Sequence, residues 1–229
     1  MSRNAQAVKV PPGKKVQIFN GATNILNGLN PKPQSELVLA EEIQLSISSN
    51  FSPVMGSNDI FKVGSLISSA FNVGTLGAYK QFGFQSWTGT NPISTTFTID
   101  IHRVSNAYID VWKPAQLLMR LPLPVEGDHG NLHAPGPSFL DVINDTAGTD
   151  IKIGGNKIVT FKKLNLLIGE FLYMNYVLIK RVEPTFSTEV DDTGCPVFCK
   201  LAVDVDTVYT GTANVIANME VKNSRRNLK

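Results

Sequence analysis

With 229 residues, of which 42% are hydrophobic and 17% charged, the chain can bury a core as one large domain or two small ones, which excludes disorder for its bulk. The formal net charge of +2 is unevenly laid out: residues 1–35 hold Arg3, Lys9, Lys14, Lys15 and Lys32 with no acid, and residues 219–229 hold Lys222, Arg225, Arg226 and Lys229 against Glu220 alone. The middle is therefore acidic, which argues against a tight nucleic-acid reader, and Lys162, Lys163, Lys180 and Arg181 are scattered rather than interleaved with aromatics.

The basic ends are either solvated tails or segments that dock on acidic neighbours in an assembly. The opening MSRNAQAVKVPPGKK lacks an apolar signal core, so folding in a reducing cytosol is expected. Cys195 and Cys199 stand four apart, about 13 Å in an extended strand and too far to bridge, so they read as small buried apolar residues. The Asn-x-Ser/Thr sequences at Asn50 and Asn144 are then chance matches. The longest uncharged run, 63–79, is interrupted by Gly64, Gly74 and Gly77 and is too short and polar to span a bilayer.

In chain order, residues 1–35 are rich in Pro, Gly, Asn and Lys and read as an extended arm whose short cluster Val16-Gln17-Ile18-Phe19 adds one edge strand. From Leu37 the period becomes two, with Leu37, Leu39, Ile43, Leu45 and Ile47 on one face of a single strand. In the insertion 51–80, Ile60, Val63, Ile67, Ala70 and Phe71 follow helical spacing, so a short helix and a glycine-rich loop are expected. That insertion either packs over a barrel end or reaches a neighbouring subunit.

Residues 81–87 and 95–104 read as a second hairpin, with Phe97, Ile99 and Ile101 inward and Thr96, Thr98, Asp100 and His102 outward. A helix follows within 105–120, capped by Ser105 or Asn106 and kinked or restarted at Pro114. The second insertion, 125–150, is a long polar connection with a short helix at 139–143, and 157–161 is a further strand. The stretch 164–209 reads as a long antiparallel hairpin turning at 190–196. Its first half carries Phe171, Tyr173, Val177 and Ile179 on one face and Leu172, Met174, Tyr176, Leu178 and Val182 on the other, so both faces want burial. Its second half alternates Leu201, Val203, Val205 and Tyr209 with Lys200, Asp204 and Asp206.

The expectation is a mainly-β α+β fold, an antiparallel β-barrel or sandwich with one flanking helix. Residues 36–218 form the β domain, with insertions at 51–80 and 125–150 and a basic tail at 219–229.

Little in the chain points to catalysis. His129 and His133, beside Asp128, have the four-residue spacing of two metal ligands on a helix, but Gly130, Pro135 and Gly136 oppose a helix there. The alternative is a polar loop, and no cofactor is expected. No nucleophile elbow, phosphate loop or dinucleotide fingerprint occurs.

Three stretches together carry a resemblance. They are Ser86-Trp87-Thr88-Gly89-Thr90 leading to FTIDI; SNAYIDVWKPAQLLMRLPLP with Asp110-Val111, Pro114, Leu117-Leu118 and Leu121-Pro122; and IGEFLYMNYVLIKRVEPTFSTEVDDTGCPVFCKLAVDVDTV with Phe186-Ser187 and Gly194-x-Pro196. Over about half of its length the chain resembles the tube-type proteins of contractile-tailed bacteriophages, in particular the baseplate tube-initiator or hub-to-tube adaptor group. The resemblance implies a non-enzymatic virion protein, six copies of which close into a ring on which the tail tube starts. Its partners would be the tail-tube protein and baseplate hub and wedge proteins, with DNA only as cargo in the lumen.

On that basis Phe171, Tyr173, Val177, Ile179, Asp191, Asp192, Gly194 and Pro196 are expected at inter-subunit contacts, and Asp204 and Asp206 on the lumen or outer wall. A tail terminator or head-tail joining ring stays open. So does a β-sandwich hydrolase or carbohydrate-binding baseplate module with Asp128, His129 and His133 at its site.

Overall fold

The computed structural model describes residues 11–53, 85–126, 131–136 and 163–220. The helix expected within 51–80, the short helix at 139–143, the strand at 157–161 and most of the basic tail lie outside these residues. The chain divides into two compact units, Met1–Ile47 with Pro92–Lys229, and Ser48–Asn91.

The first unit is the mainly-β α+β fold that the periodicity calls for. Its strands are β1 (Lys15–Asn20), β2 (Thr23–Asn24), β3 (Leu37–Leu39), β4 (Gln44–Ser46), β7 (Pro92–His102), β10 (Leu164–Ile168), β11 (Leu172–Met174), β12 (Val177–Phe186) and β13 (Phe198–Thr210). They form one antiparallel nine-stranded sheet in the order β11-β10-β1-β3-β7-β13-β12, with β2 paired to β1 and β4 to β7. A small ribbon, β8 (Val125–Glu126) with β9 (Leu132–His133), stands apart from it. The second unit contains β5 (Ser49–Pro53) and β6 (Gln85–Thr90), which pair with each other.

Strands β7 and β13 form the backbone of the sheet because their alternation is unbroken. Phe97, Ile99 and Ile101 on β7 and Leu201, Val203 and Val205 on β13 are all buried, while Thr96, Asp100, Asp204 and Asp206 lie on the other face. Each apolar side chain buried in this way contributes about 1.5–3 kcal/mol relative to exposure. Inward residues of every other long strand join the same core, including Val16 and Ile18 of β1, Leu166 of β10, Met174 of β11 and Ile179 of β12. The inward residues of the sheet therefore share a single core.

A helix covers that interior. A π-helical turn, Tyr108–Trp112, runs into α1 (Lys113–Arg120), and Val111, Ala115, Leu118 and Leu121 are buried in the core. Asn106 Oδ1 accepts from the Ile109 N–H at 3.1 Å and caps the start. Pro114 explains the π turn, since it cannot donate to the carbonyl four residues back and its ring crowds that carbonyl. The chain widens the turn instead, and the Lys113 N–H donates to Tyr108 O. A second short helix, α2 (Ala213–Asn218), is capped by Thr212 Oγ1 accepting from the Val215 N–H at 3.2 Å.

Four expectations need correction. Residues 15–28 are not an extended arm with an edge strand: β1 lies between β10 and β3, and Val16, Ile18, Ile25 and Leu26 are core. The strand from Leu37 is two strands, with Leu37 buried but Leu45 42% and Ile47 51% exposed. Strands β6 and β7 are consecutive yet do not pair, because β6 pairs β5 while β7 pairs β13, β3 and β4.

The fourth concerns the stretch from Leu164, read above as one strand with two apolar faces. It is three strands. Gly169 (φ +57°) turns the chain before β11, and Tyr176 (φ 48°) turns it before β12. The second turn reverses the parity, so Leu172 and Met174 point inward before it and Val177 and Ile179 after it. A bulge between Ile179 and Arg181 reverses it again, and Val182 and Phe186 then pack on the core. No second apolar face is left to cover.

Candidate interaction surfaces

The inter-subunit candidates separate into three groups. Val177 and Ile179 are 0% and 2% exposed in the chain's own core, so they are not available to a partner. Phe171 is exposed and Tyr173 half-buried, and the Tyr173 N–H donates to Met219 O at 2.8 Å. Burial raises the Tyr173 phenol above its ordinary value.

The turn 190–196 is the third group, and Asp191 organises it from within. Asp191 Oδ1 accepts from the Thr193 hydroxyl, from the Thr193 N–H at 2.9 Å and from the Cys195 N–H at 3.4 Å. Its Oδ2 accepts from the Ala107 N–H at 2.8 Å, tying the turn to the start of the helix. The Thr193 hydroxyl foremost, with the backbone donors, outweighs partial burial and holds the carboxyl down at about 2. Asp191 is thus a structural tie, while Asp192, Thr193 and Gly194 (φ +75°) form the exposed tip. Pro196 bridges Val190 at the base of the turn.

Asp110, named above only as part of the resemblance, is the most heavily engaged side chain among the described residues. It is fully buried, and Oδ2 accepts from the N–H groups of Val104 (3.1 Å), Ser105 (2.6 Å) and Asn106 (3.1 Å), while Oδ1 accepts from Gln34 N–H (2.8 Å). Burial pushes its pKa up, but the donors from Ser105, Gln34, Asn106 and Val104 prevail and leave it lowered.

Asp204 and Asp206 lie on the outer face of the sheet, and both are paired. Asp204 accepts from Arg181 Nε at 2.7 Å and from the Thr96 hydroxyl at 2.9 Å, and Asp206 sits 3.0 Å from Lys180 Nζ. Lys200 on the same face pairs with Glu41, which raises its pKa. This face of the sheet is therefore a ladder of mixed charge rather than a phosphate-binding surface. His102, also on this face, stacks against Phe198 with ring centroids 4.8 Å apart.

The metal alternative is not assembled by the described residues. His133 belongs to β9, opposite Val125, so it is on a strand and not a helix, and Asp128 and His129 lie outside the described residues. Among the described residues no group of three His, Cys, Asp or Glu could hold a metal ion, and no helix is long and apolar enough to cross a membrane. Cys199 is buried and its thiol is pushed up to about 12 by that burial, while Cys195 is half-buried; neither is in a disulfide.

Two surfaces escaped the sequence reading. A groove of about 650 Å³ opens beside β1, lined by Lys15, Gln17, Phe19, Asn27, Lys32 and Gln34 among others, with Lys15 already paired to Glu36. In the second unit, Phe51 of β5 stands directly opposite Trp87 of β6, and the two are 56% and 60% exposed. The chain matches no protein-family model and no curated protein.

Proposed function

We propose that the chain is a structural, non-catalytic subunit of a ring in the tail or baseplate of a contractile bacteriophage, where it initiates or adapts the tail tube. The observation that carries this reading is the β5–β6 ribbon. A two-stranded ribbon is marginal in water on its own, and an exposed cross-strand Phe–Trp pair gains its full value only when another surface covers it. The covering surface in this reading is the neighbouring copy in the ring. The exposed tip at Asp192-Thr193-Gly194 and the side chain of Phe171 add smaller contacts of the same kind.

The sequence resemblance to tube-type proteins supplies the identity of the ring. The charge-paired outer face, with Asp204 and Asp206 neutralised by Arg181 and Lys180, suits a wall past which DNA slides without sticking.

The test is the mass of the purified protein by light scattering, with negative-stain imaging, alone and mixed with the tail-tube protein of its own source. Rings, or tubes that grow only when this chain is added, support the reading. A protein that neither forms rings nor seeds tubes overturns it.

A further inference from the structure

We propose that the groove beside β1 binds an acidic sugar, a pyranose ring that carries one carboxylate. At about 650 Å³ the groove falls within the roughly 300–1,000 Å³ that small-molecule sites occupy. Its walls include Gln17 and Phe19 of β1, Asn27 of the 3₁₀ turn Ile25–Gly28, and Lys32 and Gln34 of the strap that leads into β3. Those walls are held by bonds that leave these side chains unused. The Gln34 N–H donates to Asp110 Oδ1 at 2.8 Å, Lys113 Nζ to Asn30 O at 2.8 Å, and the Leu26 N–H to Asn24 Oδ1 at 3.0 Å. A site fixed in this way loses little binding energy to ordering.

The unused groups identify the ligand. The side chains of Gln17, Asn27 and Gln34 make no hydrogen bond among the described residues, and Lys32 pairs with no carboxylate there. Each carboxamide both donates and accepts, as does each ring hydroxyl of a sugar, so the three can match neighbouring hydroxyls. Lys15 and Glu36 neutralise each other, which leaves Lys32 as the one uncompensated charge on the wall. One free ammonium calls for one carboxylate in the ligand. The half-buried ring of Phe19 supplies an apolar surface on which the C–H face of a pyranose can pack.

Other ligand classes fit less well. An apolar ligand would strip water from the amides and offer them no partner, which is costly. A peptide added as a strand needs main-chain groups at the groove. The Gln34 N–H is turned to the helix instead, and the Gly169 N–H donates to Lys15 O at 2.8 Å, so the odd-numbered residues of β1 direct their main chain to β10. Strand and strap therefore meet the groove with side chains. A phosphate ester calls for several cations or a nest of main-chain donors, and the wall holds one free lysine.

The test is an NMR titration of the full-length protein with glucuronate, galacturonate and N-acetylneuraminate, and with glucose and acetate for comparison. Saturable binding of at least one sugar acid is expected, about tenfold or more tighter than that of glucose or acetate. Trigalacturonate that binds more tightly than galacturonate makes the ligand part of a polysaccharide, and equal binding makes it a free sugar acid; both support the site. Lys32→Gln, at an exposed residue and checked for fold by circular dichroism, is expected to weaken the sugar acid about tenfold and erase its advantage over glucose. Lys180→Gln makes the same change of charge on β12, four strands from β1, and is expected to leave binding unchanged. Failure of all three sugar acids to saturate overturns the inference. So does acetate or glucose binding as tightly as the sugar acid, or an affinity that Lys32→Gln leaves intact. The site does not rest on the ring reading: sugar binding without rings or tube seeding counts against that reading alone, and seeding without sugar binding counts against this site alone.

Discussion

The hydroxyl of Ser35 donates to the backbone carbonyl of Asp110, four residues before Pro114, which has no N–H to give. A residue 75 positions earlier in the chain thus completes the helix, and the Asp110 carboxylate holds the same strap through the Gln34 N–H. Ser35→Ala is expected to cost about 1 kcal/mol. Asp110→Ala, which strands four part-buried backbone donors at once, is expected to cost about 3 kcal/mol. Urea midpoints at unchanged slope would report both. A midpoint for Asp110→Ala within error of wild type would show that the carboxylate is not the keystone.

Asp191 makes a pH prediction. Its carboxyl titrates at about 2 in the folded chain against an ordinary 3.8, so the stabilisation it brings is complete above about pH 4 and is lost as pH falls toward 2. Asp110 is shifted in the same direction and adds to the same acid limb. Asp191→Asn should therefore narrow the stability difference between pH 5 and pH 2.5, measured by denaturant melts. An unchanged difference would count against the tie to Ala107 and Thr193.

Gly169 combines a left-handed backbone with a carbonyl in the space a side chain would need, Gly13 O at 2.6 Å from an added Cβ. Gly169→Ala should destabilise the fold by about 2 kcal/mol or more, since the positive φ alone costs about 1–2 kcal/mol. Gly21, also at positive φ but with nothing within 4 Å, should lose only the conformational part. Thermal melts of the two variants that coincide would remove the steric half of the argument.

Ile179 and Phe171 were read as neighbours on one contact face, and burial sets them apart. Ile179→Lys places a charge in the core and should cost about 4 kcal/mol or more, leaving little folded protein. Phe171→Lys, at a residue 55% exposed, should leave the melt within about 0.5 kcal/mol of wild type. Equal losses from the two would mean that the chain packs differently around its last strands.

Part of this molecule was written locally. Strands β7 and β13 alternate without interruption, so their inward residues, from Phe97 to Ile101 and from Leu201 to Val205, could be read directly from a period of two. The helix and its Asn106 cap were legible for the same reason, as a local pattern with a local start. Periodicity carries no mark, however, where a chain turns on an ordinary residue. Tyr176 adopts φ 48° with its N–H held at 3.1 Å by Asn165 Oδ1, eleven residues away, and that distant acceptor flips the parity of everything after it. The placement of β1 is likewise long-range. Val16 and Ile18 are too few to announce a central strand, and they become one only because Leu166 and Ile168 offer a matching register across some 150 residues of chain. Alternation within a strand is set by the backbone of that strand, so the sequence alone determined it. Which strands meet, and which acid becomes a buried keystone, depends on partners that only the folded chain brings together.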